Sequence, residues 1–269
     1  MAPLARVKAT TTAERTSRGL ARVLRALSKG ATNETDIPAA RHLRELEQLQ
    51  ADGLAWLRSL APGDYRIWLQ TDDSSVATRL MLPPGVRSLA DQRLPVVIAR
   101  HGAGGSENLF FDAYGAGKIR GLCRERGFVL VAPRAGLGGG ADAGAIVDAL
   151  AEFCPVDPTK VFGIGHSMGA AMVMREASAD PTTFCGIALL GGGGSARPTA
   201  ALQRLPVFIA PGERDFARRN AERLRDALRA KGLETLEFRA YEATEHFAIV
   251  QVALDDAFAF FDRCLQARD

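Results

Sequence analysis

Apolar residues change their spacing along this chain near residue 65. Before that point they recur at helical intervals. Leu20, Val23, Leu24 and Leu27, with Arg18, Arg22 and Arg25 between them, predict a short basic amphipathic helix over 16–29. Leu43, Leu46, Leu49, Leu54 and Leu57 predict a second helix starting near Pro38, while residues 1–15 are polar and basic and are expected to fray. Beyond residue 65 the apolar positions gather into short runs. Strands are predicted over 66–70 and 75–82, the latter closed by Pro83-Pro84-Gly85, and then over 95–100, 128–132, 161–164, 186–190, 207–210 and 235–240. Helical patterns separate the later runs, over 111–126, 143–153, the stretch after 169, 216–231 and 247–266.

Strands alternating with helices of these lengths predict a mostly parallel, doubly wound sheet of about eight strands with an antiparallel start. The run Pro95 to Arg100 is continuously apolar, as expected of a strand covered on both faces. The change of pattern divides the chain into a helical leader, 1–60, and an α/β domain, 61–269. Glycines cluster after three strands, at Gly102–Gly105, Gly138–Gly140 and Gly191–Gly194. In an open sheet of this kind those carboxyl ends line the functional crevice.

Composition narrows the classes. Apolar residues make up 47% and charged residues 24% of the 269, as in an ordinary soluble protein. The net charge of +3 is unevenly placed: residues 1–30 carry seven Lys or Arg against Glu14, so the remainder is net negative. The body therefore lacks a nucleic-acid footprint. The four cysteines are scattered, with no C-x-x-C pair, and read as buried thiols. No stretch approaches the roughly 20 apolar residues of a membrane span, and there is no secretory signal, which favours a cytoplasmic location.

The chemistry centres on Gly165-His166-Ser167-Met168-Gly169, a G-x-S-x-G turn between a predicted strand and an Ala- and Met-rich helix. Such a turn holds its serine exposed in a strained conformation, so Ser167 is the candidate nucleophile. A serine hydroxyl needs a base, usually a histidine oriented by a carboxylate. Of the four histidines, His42 lies in the leader and reads as a solvated residue, His166 sits inside the turn, and His101 opens a glycine loop that it is placed to tie down. His246, where the last strand turns into the last helix, remains as the base. The acid belongs at a strand end between Ser167 and His246. Pro211-Gly212-Glu213-Arg214-Asp215 offers two carboxylates, and Asp215 is preferred because it immediately precedes a helix, although that position also suits an N-cap. The backbone N–H groups of Met168 and Ala103 are the expected oxyanion donors. Asn108, Phe110, Phe111 and Tyr114 follow the second of these and are candidates for the substrate wall.

With these motifs in order, the chain resembles the α/β-hydrolase family: the H-G-x-G loop at His101, the G-H-S-M-G elbow, the P-G-x-x-D acid turn and the late His246 follow the family's sequence across residues 65–266. Val156-Asp157-Pro158-Thr159-Lys160, leading into the elbow strand, is similar to the esterase and depolymerase branch, related to feruloyl and acetylxylan esterases and to prolyl-oligopeptidase catalytic domains. The resemblance implies an α/β-hydrolase fold and a carboxylic-ester hydrolase working through an acyl-enzyme on Ser167, Asp215 and His246. It implies no metal or organic cofactor, and a small-molecule or polymer-borne ester as the partner. Ala170 replaces a second glycine found in many members, and the leader has no counterpart in the minimal fold. The segment Gly191 to Leu205 is too short for a lid domain, so an exposed site is expected. A peptidase of the prolyl-oligopeptidase kind, or a binding protein on an inactive hydrolase fold, are the alternatives. The basic segment 1–30 is expected to be dispensable for chemistry.

Overall fold

The computed structural model describes residues 2–86, 92–136, 139–196 and 199–268. Three helices come first: α1 (Ala2–Leu27), α2 (Ala39–Asp52) and α3 (Leu54–Arg58). They precede the strands β1 (Gly63–Gln70), β2 (Ser75–Leu82), β3 (Leu94–Arg100), β4 (Val129–Pro133), β5 (Val156–His166), β6 (Gly186–Leu190), β7 (Val207–Ala210) and β8 (Leu236–Phe238). Between and after the strands lie α4 (Lys118–Arg126), α5 (Ala143–Ala151), α6 (Met168–Ala179), α7 (Ala200–Gln203), α8 (Arg218–Ala230) and α9 (Ala248–Gln266). The eight strands form one sheet in the order β1-β2-β4-β3-β5-β6-β7-β8. β2 pairs antiparallel with β1 and β4, and the other pairs are parallel. Among the described residues no helix is long and apolar enough to cross a membrane.

The central strands are apolar throughout because successive side chains enter opposite cores. On β3, Val96 and Ile98 pack with α5 and α6, whereas Val97 and Ala99 join the cluster that holds Ile119 of α4 and the Phe258, Phe260 and Phe261 group of α9. On β5, Val161 faces the first core, and Phe162 and Ile164 face the second. The sheet is thereby covered on both faces, with its carboxyl edge left for loops.

Several elements differ from the pattern-based reading. The frayed segment is instead part of α1, which runs unbroken from Ala2. This helix lies along the outer edge of β1, where the N–H groups of Trp68 and Gln70 donate to Thr16 Oγ1 (2.9 Å) and Thr12 Oγ1 (3.0 Å). The two threonines are one helical turn apart and the two acceptor-seeking amides two residues apart, so helix and strand match in pitch. The Trp68 ring lies directly on Gly19, where any side chain would overlap it. The second predicted helix is two, split at Gly53, whose φ of 51° leaves the helical region. His42, expected at the surface, is fully buried beside Glu45. The predicted helix over 111–126 is regular only from Lys118. A π-helical turn (Leu109–Ala113) precedes it, and Gly115, Ala116 and Gly117 take φ of 55°, 52° and 73°. The segment Val156 to Lys160 does not lead into the elbow strand but belongs to it, with the pairing to β3 broken between Leu94 and Val96.

The leader is pinned to the body by charge. Asp36 receives Arg79 Nη2 at 3.0 Å and Arg120 Nη1 at 2.6 Å. Arg79, fully buried on β2, also reaches Asp112 at 2.8 Å, so its charge is offset on two sides.

Candidate active site

β5 ends at His166 and α6 begins at Met168, so Ser167 is the single residue joining them. Its φ of 56° and ψ of −116° lie outside the regions an ordinary L-residue occupies. Glycines make this crossing possible. A Cβ at Gly165 would overlap the Gly169 carbonyl, and one at Gly169 would overlap the Arg100 carbonyl at the end of β3. Strand and helix backbones thus approach within a distance no side chain permits, and the Ser167 hydroxyl is left half-buried at the carboxyl edge.

His246 Nδ1–H donates to Asp215 Oδ1 at 2.7 Å, and its Nε2 lies 2.9 Å from Ser167 Oγ as acceptor. Both His246 and Asp215 are buried, at 6% and 5% exposure. Two loops bring them together. After β7 the chain passes through Gly212 to Asp215, and after β8 it passes through Tyr241 to His246. Backbone bonds join the loops: Glu213 N–H to Tyr241 O (2.9 Å), Arg214 N–H to Thr244 O (2.9 Å) and Tyr241 N–H to Pro211 O (3.0 Å). Asp215 Oδ1 also accepts the Ala217 N–H at 2.7 Å, which fixes the carboxylate, while α8 starts only at Arg218 with Ala217 at its N-cap position. Glu213 is exposed, and among the described residues no side-chain bond joins it to His246.

The neighbouring histidines hold the frame. His166 Nε2–H donates to the backbone carbonyl of His246 at 2.9 Å, and its Nδ1 accepts the Tyr114 hydroxyl at 2.7 Å. Both ring nitrogens are used by a neutral imidazole, and burial lowers the His166 pKa to about 4. Burial likewise pushes the Tyr114 hydroxyl up to about 12, so it stays a donor. His101 Nδ1–H donates to Gly102 O (2.8 Å) and Nε2 accepts Ala135 N–H (3.0 Å), and burial lowers its pKa also. It thereby ties the loop after β3 to the loop after β4.

That loop passes against the elbow. A Cβ on Gly102 would lie 3.4 Å from Ser167 Cβ, and the next residue, Ala103, is exposed. Met168 opens α6, so its N–H is one of the first-turn donors without an intrahelical acceptor. The four residues expected to form the substrate wall are all buried. Arg79 engages two of them: Asn108 Oδ1 accepts from it at 3.1 Å, and the Phe111 ring lies 4.6 Å beneath its guanidinium. Phe110 is likewise buried, and Tyr114 serves His166.

Two residues missed by the sequence reading stand at the site. Phe216 and Phe247, each following a member of the bonded chain, are 80% and 65% exposed. Their rings lie 4.1 Å and 5.4 Å from the His246 ring. Their signal was an aromatic immediately after Asp215 and after His246; the pattern takes each as the first residue of a helix, whereas α8 starts at Arg218 and α9 at Ala248.

A family model described as the alpha/beta hydrolase family matches residues 96–268, well over half of the chain. The chain belongs to this family. No curated protein matches the sequence. Among solved structures, a ferulic acid esterase is similar at 16% identity and a TM-score of 0.64, covering 76% of this chain and 98% of its own. The feruloyl esterase module from Clostridium thermocellum, solved as an S954A mutant with sinapinate, is 15% identical with a TM-score of 0.60, covering 75% and 88%. An S-formylglutathione hydrolase from Agrobacterium tumefaciens is 17% identical with a TM-score of 0.56, covering 77% and 98%. At such identities these neighbours establish the hydrolase fold.

The His166 bonds give a pH prediction. The unfolded chain takes up a proton near the ordinary value of 6.5, which the folded imidazole refuses until about pH 4. Stability from this group is complete above pH 6.5 and falls as pH drops through that window, by about 1.4 kcal/mol per unit and about 3 kcal/mol in all. His166→Gln retains a donor at the Nε2 position and removes the titration. Melting temperature plotted from pH 7 to 4 is expected to decline less steeply in this variant, and parallel curves would show that His166 does not titrate in this way.

Proposed function

We propose that the chain is a serine hydrolase that cleaves carboxylic esters through an acyl-enzyme. The observation that carries this reading is the continuous Asp215, His246, Ser167 hydrogen-bond chain ending on a strained serine at a strand-to-helix elbow. Ser167 Oγ attacks the ester carbonyl carbon as its proton passes to His246 Nε2, and Asp215 stabilises the resulting imidazolium and holds its orientation. Negative charge forming on the carbonyl oxygen is met by the N–H groups of Met168 and Ala103. His246 returns the proton to the departing alcohol. Water, activated in turn by His246, then attacks the acyl carbon and releases the acid.

The esterase identities of the structural neighbours support the same chemistry. The partner is an ester, small or polymer-borne, entering an uncovered crevice: between β6 and β7 the described residues hold only the four-residue α7. A fluorophosphonate probe is expected to label folded protein at Ser167 and to leave Ser167→Ala unlabelled. A chain-length series of p-nitrophenyl esters, run beside a feruloyl ester and a peptide amide, is expected to give turnover on esters well above that on the amide. Folded protein that neither labels nor turns over any ester would overturn the reading.

A further inference from the structure

The first residue of α6 lines one end of a groove that the ester chemistry above leaves unassigned. Met168, Ala171, Met172, Arg175, Ser178 and Ala179 recur at intervals of three and four, so they form one face of the helix. Gly194 and Ser195, in the loop after β6, form the facing wall, and the space enclosed is about 500 Å³. The wall is fixed, because Gly194 donates its N–H to Asn220 Oδ1 at 3.1 Å and packs so closely on Ala171 that a Cβ would come within 3.0 Å of it.

Arg175 is the one charged residue among the described residues that line the groove. Among the described residues its guanidinium has no hydrogen-bond or ion-pair partner. Glu176, its neighbour, turns its carboxylate inward to Arg100 at 2.9 Å and attracts Arg175 only at longer range. The guanidinium reaches toward the loop after β4, where a Cβ on Gly139 would lie 3.1 Å from Nη2. Arg175 stands seven residues from Met168, two turns or about 10 Å along the axis, and helical side chains lean toward the N-terminus, here toward the elbow. A planar cation thus stands about two turns from the elbow, along a groove whose other described side chains are thioether, methyl and hydroxyl and which begins at the residue after Ser167.

We propose that this groove is a subsite for the anionic arm of an ester, with Arg175 binding a carboxylate separated by a short apolar chain from the carbonyl that Ser167 attacks. The inference rests on Ser167 as the nucleophile. A guanidinium binds a carboxylate through two parallel N–H donors, and the apolar spacer lies along Met168 and Met172. The arm belongs either to the acyl or to the alcohol part of the ester, and each has its own assay.

Mono-p-nitrophenyl esters of the dicarboxylic acids from glutaric to sebacic test the acyl side against their neutral ethyl-capped equivalents. Acetate esters of ω-hydroxy acids test the alcohol side against the corresponding amides. One series is expected to show a length optimum at which the acid is preferred about ten-fold in kcat/KM, through KM, with the preference shrinking as salt rises. Arg175→Gln is expected to abolish that ratio and Arg175→Lys to restore part of it. Calorimetric binding of the suberic hemiester and its neutral diester to Ser167→Ala protein separates the two readings. Arg175-dependent preference for the acid there, without ester turnover by the intact protein, would leave the subsite standing and remove the esterase reading. Ratios near one in both series and equal binding of the two ligands, or a preference surviving Arg175→Gln, would overturn the subsite alone.

Discussion

Ser167→Ala and His246→Ala are each expected to lower ester turnover by at least ~10³-fold, and the double variant is expected to be little worse than either. The non-additivity follows from the hydrogen bonds. His246 Nε2 lies 2.9 Å from Ser167 Oγ, so removing either partner already disables the one proton transfer they share. Asp215→Asn is expected to cost less than loss of Ser167 but far more than Glu213→Gln. An asparagine amide turned toward His246 Nδ1 would donate to it, place the imidazole proton on Nε2 and leave that nitrogen unable to accept from Ser167. Glu213 is exposed and makes no such contact. Kinetics with circular dichroism as a check on folding decide the matter. Near-normal turnover in His246→Ala, or a greater loss in Glu213→Gln than in Asp215→Asn, would remove the assignment.

The elbow glycines should give the largest effect on stability. Alanine at Gly169 would drive its methyl into the Arg100 carbonyl and close to that of His101, and these belong to backbone that cannot rotate aside. The cost is expected to be about 3 kcal/mol or more, at or above the upper end of ordinary overpacking. Such a loss lowers the melting temperature by roughly 10 °C in a chain of this size and removes probe labelling at Ser167. Gly121 provides the contrast, since it lies inside α4 with open space around it and without a positive φ. Gly121→Ala is expected to stabilise by about 0.5–1 kcal/mol through helix propensity. Equal melting temperatures for the two variants would mean that the close crossing at the elbow does not constrain the fold.

What could be read from the sequence follows from which forces act locally. Strands buried on both faces, such as Val96 to Ala99, announce themselves by unbroken apolar runs, and a G-x-S-x-G turn carries its constraint within five residues. The positions of Asp215 and His246 could be inferred because strand ends meet at one edge of a parallel sheet. The docking of α1 could not, because its decisive contacts are hydroxyls of Thr12 and Thr16 on another segment's amides, and threonines give no apolar stripe. The burial of Phe111 goes with a partner far from it in sequence, the Arg79 guanidinium over its ring, which no local pattern reveals. Phe216 and Phe247 were hidden because each reads as the first apolar residue of the helix that follows, although both are exposed.

The edges of the sheet give the leader a role apart from any substrate. An open sheet ends in rows of unused amides and carbonyls, and such rows recruit strands from other molecules. At one end, β8 is only three residues long, and Glu237 on it is paired to Arg263 at 2.8 Å, so little flat backbone is offered. At the other end β1 is eight residues long, enough to template a neighbour, and there α1 occupies the outward amides of Trp68 and Gln70 with its own threonines. The helix acts as a terminator of strand addition: it satisfies the edge without continuing it, because a helix has no second row of free amides to pass on. A chain shortened past Thr16 would keep every residue of the Ser167 site and expose the outward amides of β1, so the helix is expected to guard the chain against edge-to-edge aggregation.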